Sequence, residues 1–155
     1  MRYPRRNASN GRCWCAVDDN TNVRRFSQGG PNHLGHFGTV GESVIARRFA
    51  PNGPIRIGFS PPVLGLAVEV DPRPAVVVPA QPFKVHCRFE DGIDTVDETF
   101  DGIFGTTCLI ARRCTVGQIT QVTLSVTMID AAGAQTPVDF AINKLDLIAT
   151  ALLIV

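Results

Sequence analysis

The stretch Pro54–Val70, PIRIGFSPPVLGLAVEV, constrains this chain more than any other. In Ile55-Arg56-Ile57-Gly58-Phe59 every second residue is large and apolar, and after Pro61-Pro62 the alternation resumes at Leu64, Leu66, Val68 and Val70. A period of two places one set of side chains on one face of a strand, so the stretch predicts two half-buried strands hinged at a proline pair.

The same period recurs downstream. Phe83, Val85, Cys87 and Phe89 alternate with Lys84, His86, Arg88 and Glu90, ending at Asp91-Gly92, which suits a tight hairpin turn. Ile93 to Phe100 is the expected return strand, with Val96 and Phe100 sharing a face. Glu98 between them spoils the alternation and predicts a bulge or an exposed edge. Val122, Leu124, Val126 and Met128 form a second clean stripe. In the last strand Phe140 and Ile142 are even but Leu145 and Leu147 are odd, which predicts a bulge at Asn143-Lys144. Shorter strands are expected at Ser43–Phe49 and Thr107–Ala111, with glycine-rich loops over residues 28–41.

No helical period extends over ten residues, and Gly 14 and Pro 11 supply punctuation for many short strands. The expectation is an all-β, antiparallel sandwich or jelly roll of about eight strands. Residues 1–22 read as an arm or irregular first strand, 23–148 as the sandwich, and 149–155 as an apolar tail or strand extension.

Charge narrows the partners. The net charge of +1 gives no global attraction to nucleic acid or anionic membrane. Arg2, Arg5, Arg6 and Arg12 suit either phosphate contact or a solvated terminus. No basic start followed by an apolar run marks a secretory signal, and Ile148–Val155 is far shorter than the ~20 residues that span a bilayer.

Candidate sites are few. Five cysteines leave one unpaired, and Cys108 and Cys114, flanking Leu-Ile-Ala-Arg-Arg, are the candidate disulfide in an oxidising compartment. Asp18 and Asp19, with Asn20, form an oxygen cluster suited to a structural calcium, and no other cofactor is expected. The run Glu90–Asp101 holds six of the fourteen acids, reading as calcium ligands or a solvated hairpin face. His33-Leu-Gly-His36 has the wrong spacing for a cupin metal pair, and no G-x-S-x-G elbow or phosphate loop occurs. Trp14 reads as an anchor for the arm or as a flat ring for a sugar.

In order along the chain, Gly41-Glu42-Ser43, Pro54 through Val63, Gly65–Val70, Phe83 through Gly92 and Asp139–Leu147 resemble bacterial exported β-sandwich modules of the galactose-binding-like, jelly-roll type. The resemblance covers roughly residues 41 to 148. It implies an extracellular or cell-surface location and a non-catalytic binding role, with glycan as partner and Trp14, Asp94 and Asp97 as candidate contacts. The alternative is a structural or assembly protein, a homo-oligomer associating through its sandwich edges and the arm.

Overall fold

A computed structural model describes the backbone of residues 2–6, 12–17, 23–27 and 43–47, and backbone with side chains for 53–74, 76 and 78–149. Those residues form ten strands and no helix: β1 (Arg2–Arg6), β2 (Arg12–Val17), β3 (Val23–Ser27), β4 (Ser43–Arg47), β5 (Ile55–Arg73), β6 (Pro82–Glu90), β7 (Thr95–Ile103), β8 (Cys108–Arg113), β9 (Ile119–Ile129) and β10 (Gln135–Ala149). The protein is all-β, and every pairing between these strands is antiparallel.

Six strands make the body, in the order β7-β6-β9-β10-β5-β8. The two ends of that order meet: Arg112 of β8 donates to Glu98 of β7, and the Cys108 thiol donates to the Asp101 carbonyl at 3.7 Å. Side chains, rather than a backbone ladder, span this seam. The sheet is therefore a nearly closed barrel. The hairpin β1–β2 extends it beside the first half of β5, and β4, carrying β3, pairs with β10 at Ala46 and Ile45. Segments expected as an arm thus supply two strands.

The proline hinge is real, but the two expected strands are one continuous element. Before the hinge, Ile55–Gly58 pairs with β9 on one edge, and Ile57–Ser60 pairs with β2 on the other. After it, Val63–Arg73 pairs with β10 and Gly65–Val70 with β8. Pro61 and Pro62 carry no N–H to give a ladder, so the pairing breaks where the strand turns. From Gly58 to Val63 β5 advances five residues while β9 advances only two, from Gln121 to Ile119.

A second irregularity shifts the inward set. Ile55, Ile57, Phe59 and Val63 are buried at odd positions, and Leu66, Val68 and Val70 at even ones. Between Val63 and Gly65 β5 advances two residues against one on β10, from Ala149 to Ile148. Leu64, expected in the apolar stripe, is the extra residue and is half-buried; Val63 takes the inward place.

The bulge expected at Asn143-Lys144 is present. Asn143 faces Glu69 and Asp146 faces Ala67, three steps on β10 against two on β5, with Lys144 at φ 47°. Leu145 is thereby returned to the interior, 6% exposed.

At Glu98 the outcome differs from a bulge. The β6–β7 register runs unbroken from Pro82↔Ile103 to Glu90↔Thr95, so Glu98 simply faces inward from a strand whose other edge is the seam. The Asp91-Gly92 turn is also longer than a two-residue hairpin. Asp91, Gly92, Ile93 and Asp94 form a four-residue loop in which only Gly92 has positive φ. Asp91 Oδ1 accepts hydrogen bonds from the backbone N–H of Ile93 and Asp94, at 2.9 and 2.7 Å. An aspartate that satisfies its own loop in this way fixes the turn without the mirror-image geometry.

The core fills the barrel. Phe83, Val85, Cys87 and Phe89 of β6 meet Val122, Leu124, Val126 and Met128 of β9, with Ile110, Ile119, Phe140 and Ile142 closing the other sides. Fully burying each large aliphatic or phenyl group stabilises the fold by roughly 1.5–3 kcal/mol before chain entropy is counted. The Phe83 ring lies directly over Gly102, its register partner on β7, where a Cβ would collide with the ring. Glycine there is what lets a phenyl ring cross the strand.

Candidate functional site: the polar face of β9, β6 and β7

Because Phe83, Val85, Cys87 and Phe89 point inward, Lys84, His86, Arg88 and Glu90 point outward. Register then places their neighbours. The rows across β9, β6 and β7 are Gln121–Glu90–Thr95, Thr123–Arg88–Asp97, Ser125–His86–Thr99 and Thr127–Lys84–Asp101. Strands stand about 4.8 Å apart and rows about 6.8 Å apart. Each of these positions is polar. The face is a lattice of donors and acceptors, with no aliphatic, Phe, Tyr or Trp side chain among them.

Cross-strand bonds link residues along the rows of the lattice. Arg88 grips Asp97 with both arms, Nε to Oδ1 at 2.9 Å and Nη2 to Oδ2 at 3.2 Å. That fork holds the Asp97 carboxyl below its usual range and the Arg88 guanidinium above its own. Lys84 Nζ reaches Asp101 Oδ1 at 2.6 Å, and Gln121 Nε2 donates to Glu90 Oε1 at 2.9 Å. His86 lies between Thr127 Oγ1 (3.1 Å, from Nε2) and Thr99 Oγ1 (3.4 Å, from Nδ1). Thr127 also donates to Gln135 Oε1 at 3.2 Å, so a proton on Nε2 satisfies the whole chain.

A shallow groove of about 380 Å³ crosses this face, lined by Pro54, His86, Arg88, Asp97, Thr99, Thr123 and Ser125 together with Cys87 and Glu98. The hydroxyls of Thr123 and Ser125 make no hydrogen bond among the described residues. Arg56 of β5 continues the Thr123 row beyond that lining.

Among the described residues His86 is not held in a Ser-His-acid arrangement. His86 engages two threonines and no carboxylate, so no acid orients it toward Ser125 as a nucleophile would require. Among the described residues no group of three His, Cys, Asp or Glu side chains is placed to hold an ion. Asp91 is engaged by its loop, Asp97 by Arg88 and Asp101 by Lys84. Asp18 and Asp19, the proposed calcium ligands, lie outside the described residues, as do His33 and His36.

Of the expected ligand contacts, Asp97 lies in the groove, while Asp94 lies in the loop before β7, its N–H on Asp91 Oδ1. Trp14 sits on β2, its backbone paired with Pro4 and Ser60; its side chain is outside the described set. Trp14 and Asp97 therefore occupy separate strands of the sheet, with β5, β9 and β6 between them. The expected Cys108–Cys114 bridge is corrected. Cys108 opens β8 and Cys114 follows its last residue, so six steps of extended chain set them about 20 Å apart, beyond any disulfide. Both are free thiols, as is Cys87.

Sequence reasoning marked Arg88 and Thr123 as outward but could not see that they share a row with Asp97. The alternation was the available signal; the register was missing. The chain matches no protein-family model, no curated protein and no solved structure. No helix among the described residues is long and apolar enough to cross a membrane.

Proposed function

We propose that this protein is a non-catalytic binding module of the extracellular or cell-surface kind, and that its ligand is a glycan seated on the outer face of β9, β6 and β7. The observation that carries the reading is the row Thr123–Arg88–Asp97, a bidentate pair beside an unengaged hydroxyl within a groove. Fixed polar groups on a rigid sheet recognise a polar ligand without losing side-chain freedom on binding. On this reading the barrel is the body of a galactose-binding-like, jelly-roll sandwich in which β5 belongs to both layers. The test is a glycan array probed with the purified full chain. Binding lost in Arg88→Gln and kept in Arg113→Gln, on β8 away from the face, supports the assignment; an array silent for the wild-type protein defeats it.

A second reading, structural assembly with copies of itself, is favoured by a different surface. A groove of about 340 Å³ floored by Ala67 and Ala111 runs between Arg113 and Ile148. Light scattering on wild type and Ile148→Glu separates the two readings: a concentration-dependent oligomer abolished by the charge favours assembly.

A further inference from the structure

The groove carries an inference about ligand chemistry, which rests on the glycan-binding reading. We infer that Thr123, Arg88 and Asp97 form a subsite for a vicinal diol of a neutral sugar, and that acidic sugars are disfavoured there.

Arginine has five N–H groups, and the fork to Asp97 uses two, one on Nε and one on Nη2; three remain. Each Asp97 oxygen accepts one of those bonds and keeps a further acceptor site. Guanidinium donors and carboxylate acceptors therefore stand side by side. A hydroxyl is both donor and acceptor, so of two adjacent hydroxyls one donates to Asp97 Oδ2 and accepts from the remaining Nη2 N–H of Arg88, and its neighbour accepts from Nη1. The Thr123 hydroxyl, next in the row on the other side of Arg88, adds a third group of the same dual character.

Charge selects against anions. Among the groove's lining side chains Arg88 and Asp97 cancel and Glu98 is matched by Arg112, while Arg56 stands one position further along the row, beyond Thr123. A carboxylate or sulfate ligand must either displace Asp97 from the fork or lie against it, and like charges at that distance repel. The ordinary alternative is a solvated sheet face, since antiparallel sheets commonly turn one face to water. Three features exceed that expectation: the fork pins Arg88, Pro54 and Thr123 wall the groove, and two hydroxyls stand unengaged.

The experiment is isothermal titration of the full-length protein with maltohexaose, cellohexaose and mannohexaose, and in parallel with hexagalacturonate. Saturable binding to at least one neutral oligosaccharide, weakened about tenfold or more in Asp97→Asn and in Arg88→Gln, is expected, because charge-assisted bonds are lost in each. Circular dichroism melts confirm that the exposed-site variants remain folded. Hexagalacturonate bound by the wild-type protein more tightly than every neutral sugar overturns the diol assignment and leaves the glycan-binding reading standing. No binding to any of the four overturns the diol assignment, and the glycan array then decides the broader reading.

Discussion

Arg112 and Glu98 close the barrel from opposite sides of its seam. Arg112 Nη1 donates to Glu98 Oε1, and the same guanidinium sits 5.0 Å from the centre of the Phe89 ring. Both side chains are largely withdrawn from water, with 22% and 35% of their surface exposed. A charge that points inward from an edge strand is a known guard against edge-to-edge association. Glu98 fills that role here, and Arg112 supplies the countercharge that makes it tolerable. Replacing Glu98 by Ala leaves the guanidinium without its carboxylate while its Nε already lacks a partner. The expected cost is about 1–3 kcal/mol in a urea or thermal melt. The double variant Glu98→Val/Arg112→Leu recovers most of that loss but gains a dimer or larger species by light scattering. A monodisperse monomer at all concentrations would remove the guard role from Glu98.

Gly102 tests the packing of the opposite end of the same strand. Gly102→Ala sets a methyl into the Phe83 ring, which is fully buried and has no room to retreat. Overpacking of this kind costs on the order of 1–3 kcal/mol. The control is Gly105→Ala, where an added Cβ meets nothing within 4 Å and the only cost is the positive φ of 103°. Thermal melts should place Gly102→Ala below that control.

Acid titration reads Asp91 and Asp97. Asp91 ionises below its ordinary 3.8 because the Asp94 and Ile93 N–H groups hold the carboxylate, and Asp97 does so because of Arg88. A depressed folded-state pKa contributes stability that is complete above the unfolded value and fades as pH falls through the folded one. The melting difference between wild type and Asp91→Ala should therefore be flat from neutral pH to about 5 and shrink only below about 4. A difference that changes between pH 6 and 8 would mean another group carries it.

Burial pushes the Cys87 thiol up to about 12, with neighbouring Cys108 adding to the effect, and Cys108 is itself raised by burial and then by Asp101. The thiolate is the reactive form, so both should resist iodoacetamide in the native protein at pH 8 and react on unfolding. Peptide mapping by mass spectrometry reads each cysteine separately. A raised folded pKa means full stability below the unfolded value of about 9 and progressive loss above it, as unfolding releases a proton that the native thiol retains. Stability should fall between pH 9 and 10, and Cys87→Ser or Cys87→Ala should flatten that fall.

Much of this fold was legible from alternation because alternation is a local property. The stripes of β6 and β9 land where their periods put them, and the slip at Asn143-Lys144 shows directly as a bulge. Leu64 was misplaced because a bulge opposite β10 is set by the partner strand, which the local pattern does not contain. Glu98 was marked as an anomaly without its explanation, since Arg112 reaches it only after the sheet curls round. The disulfide expectation fails for a related reason: the strand expected to end at Ala111 runs on through Arg113, paired to β5, and holds the two cysteines apart. The candidate site is the same lesson in three columns. Asp97, Arg88 and Thr123 are nine and thirty-five residues apart in sequence, and only the two registers bring them into one row.

The bend in β5 has a consequence for how the molecule can be divided. One strand borders β2 and β9 before Pro61-Pro62 and β8 and β10 after it, so the two halves of the barrel share a single piece of backbone. A break in the chain at the prolines would not release two subdomains; each fragment would be left with raw ladder edges and half a core. The protein is indivisible at its most sharply punctuated point, and insertions intended to spare it belong in the Asp91–Asp94 or Asp130–Ala134 loops instead.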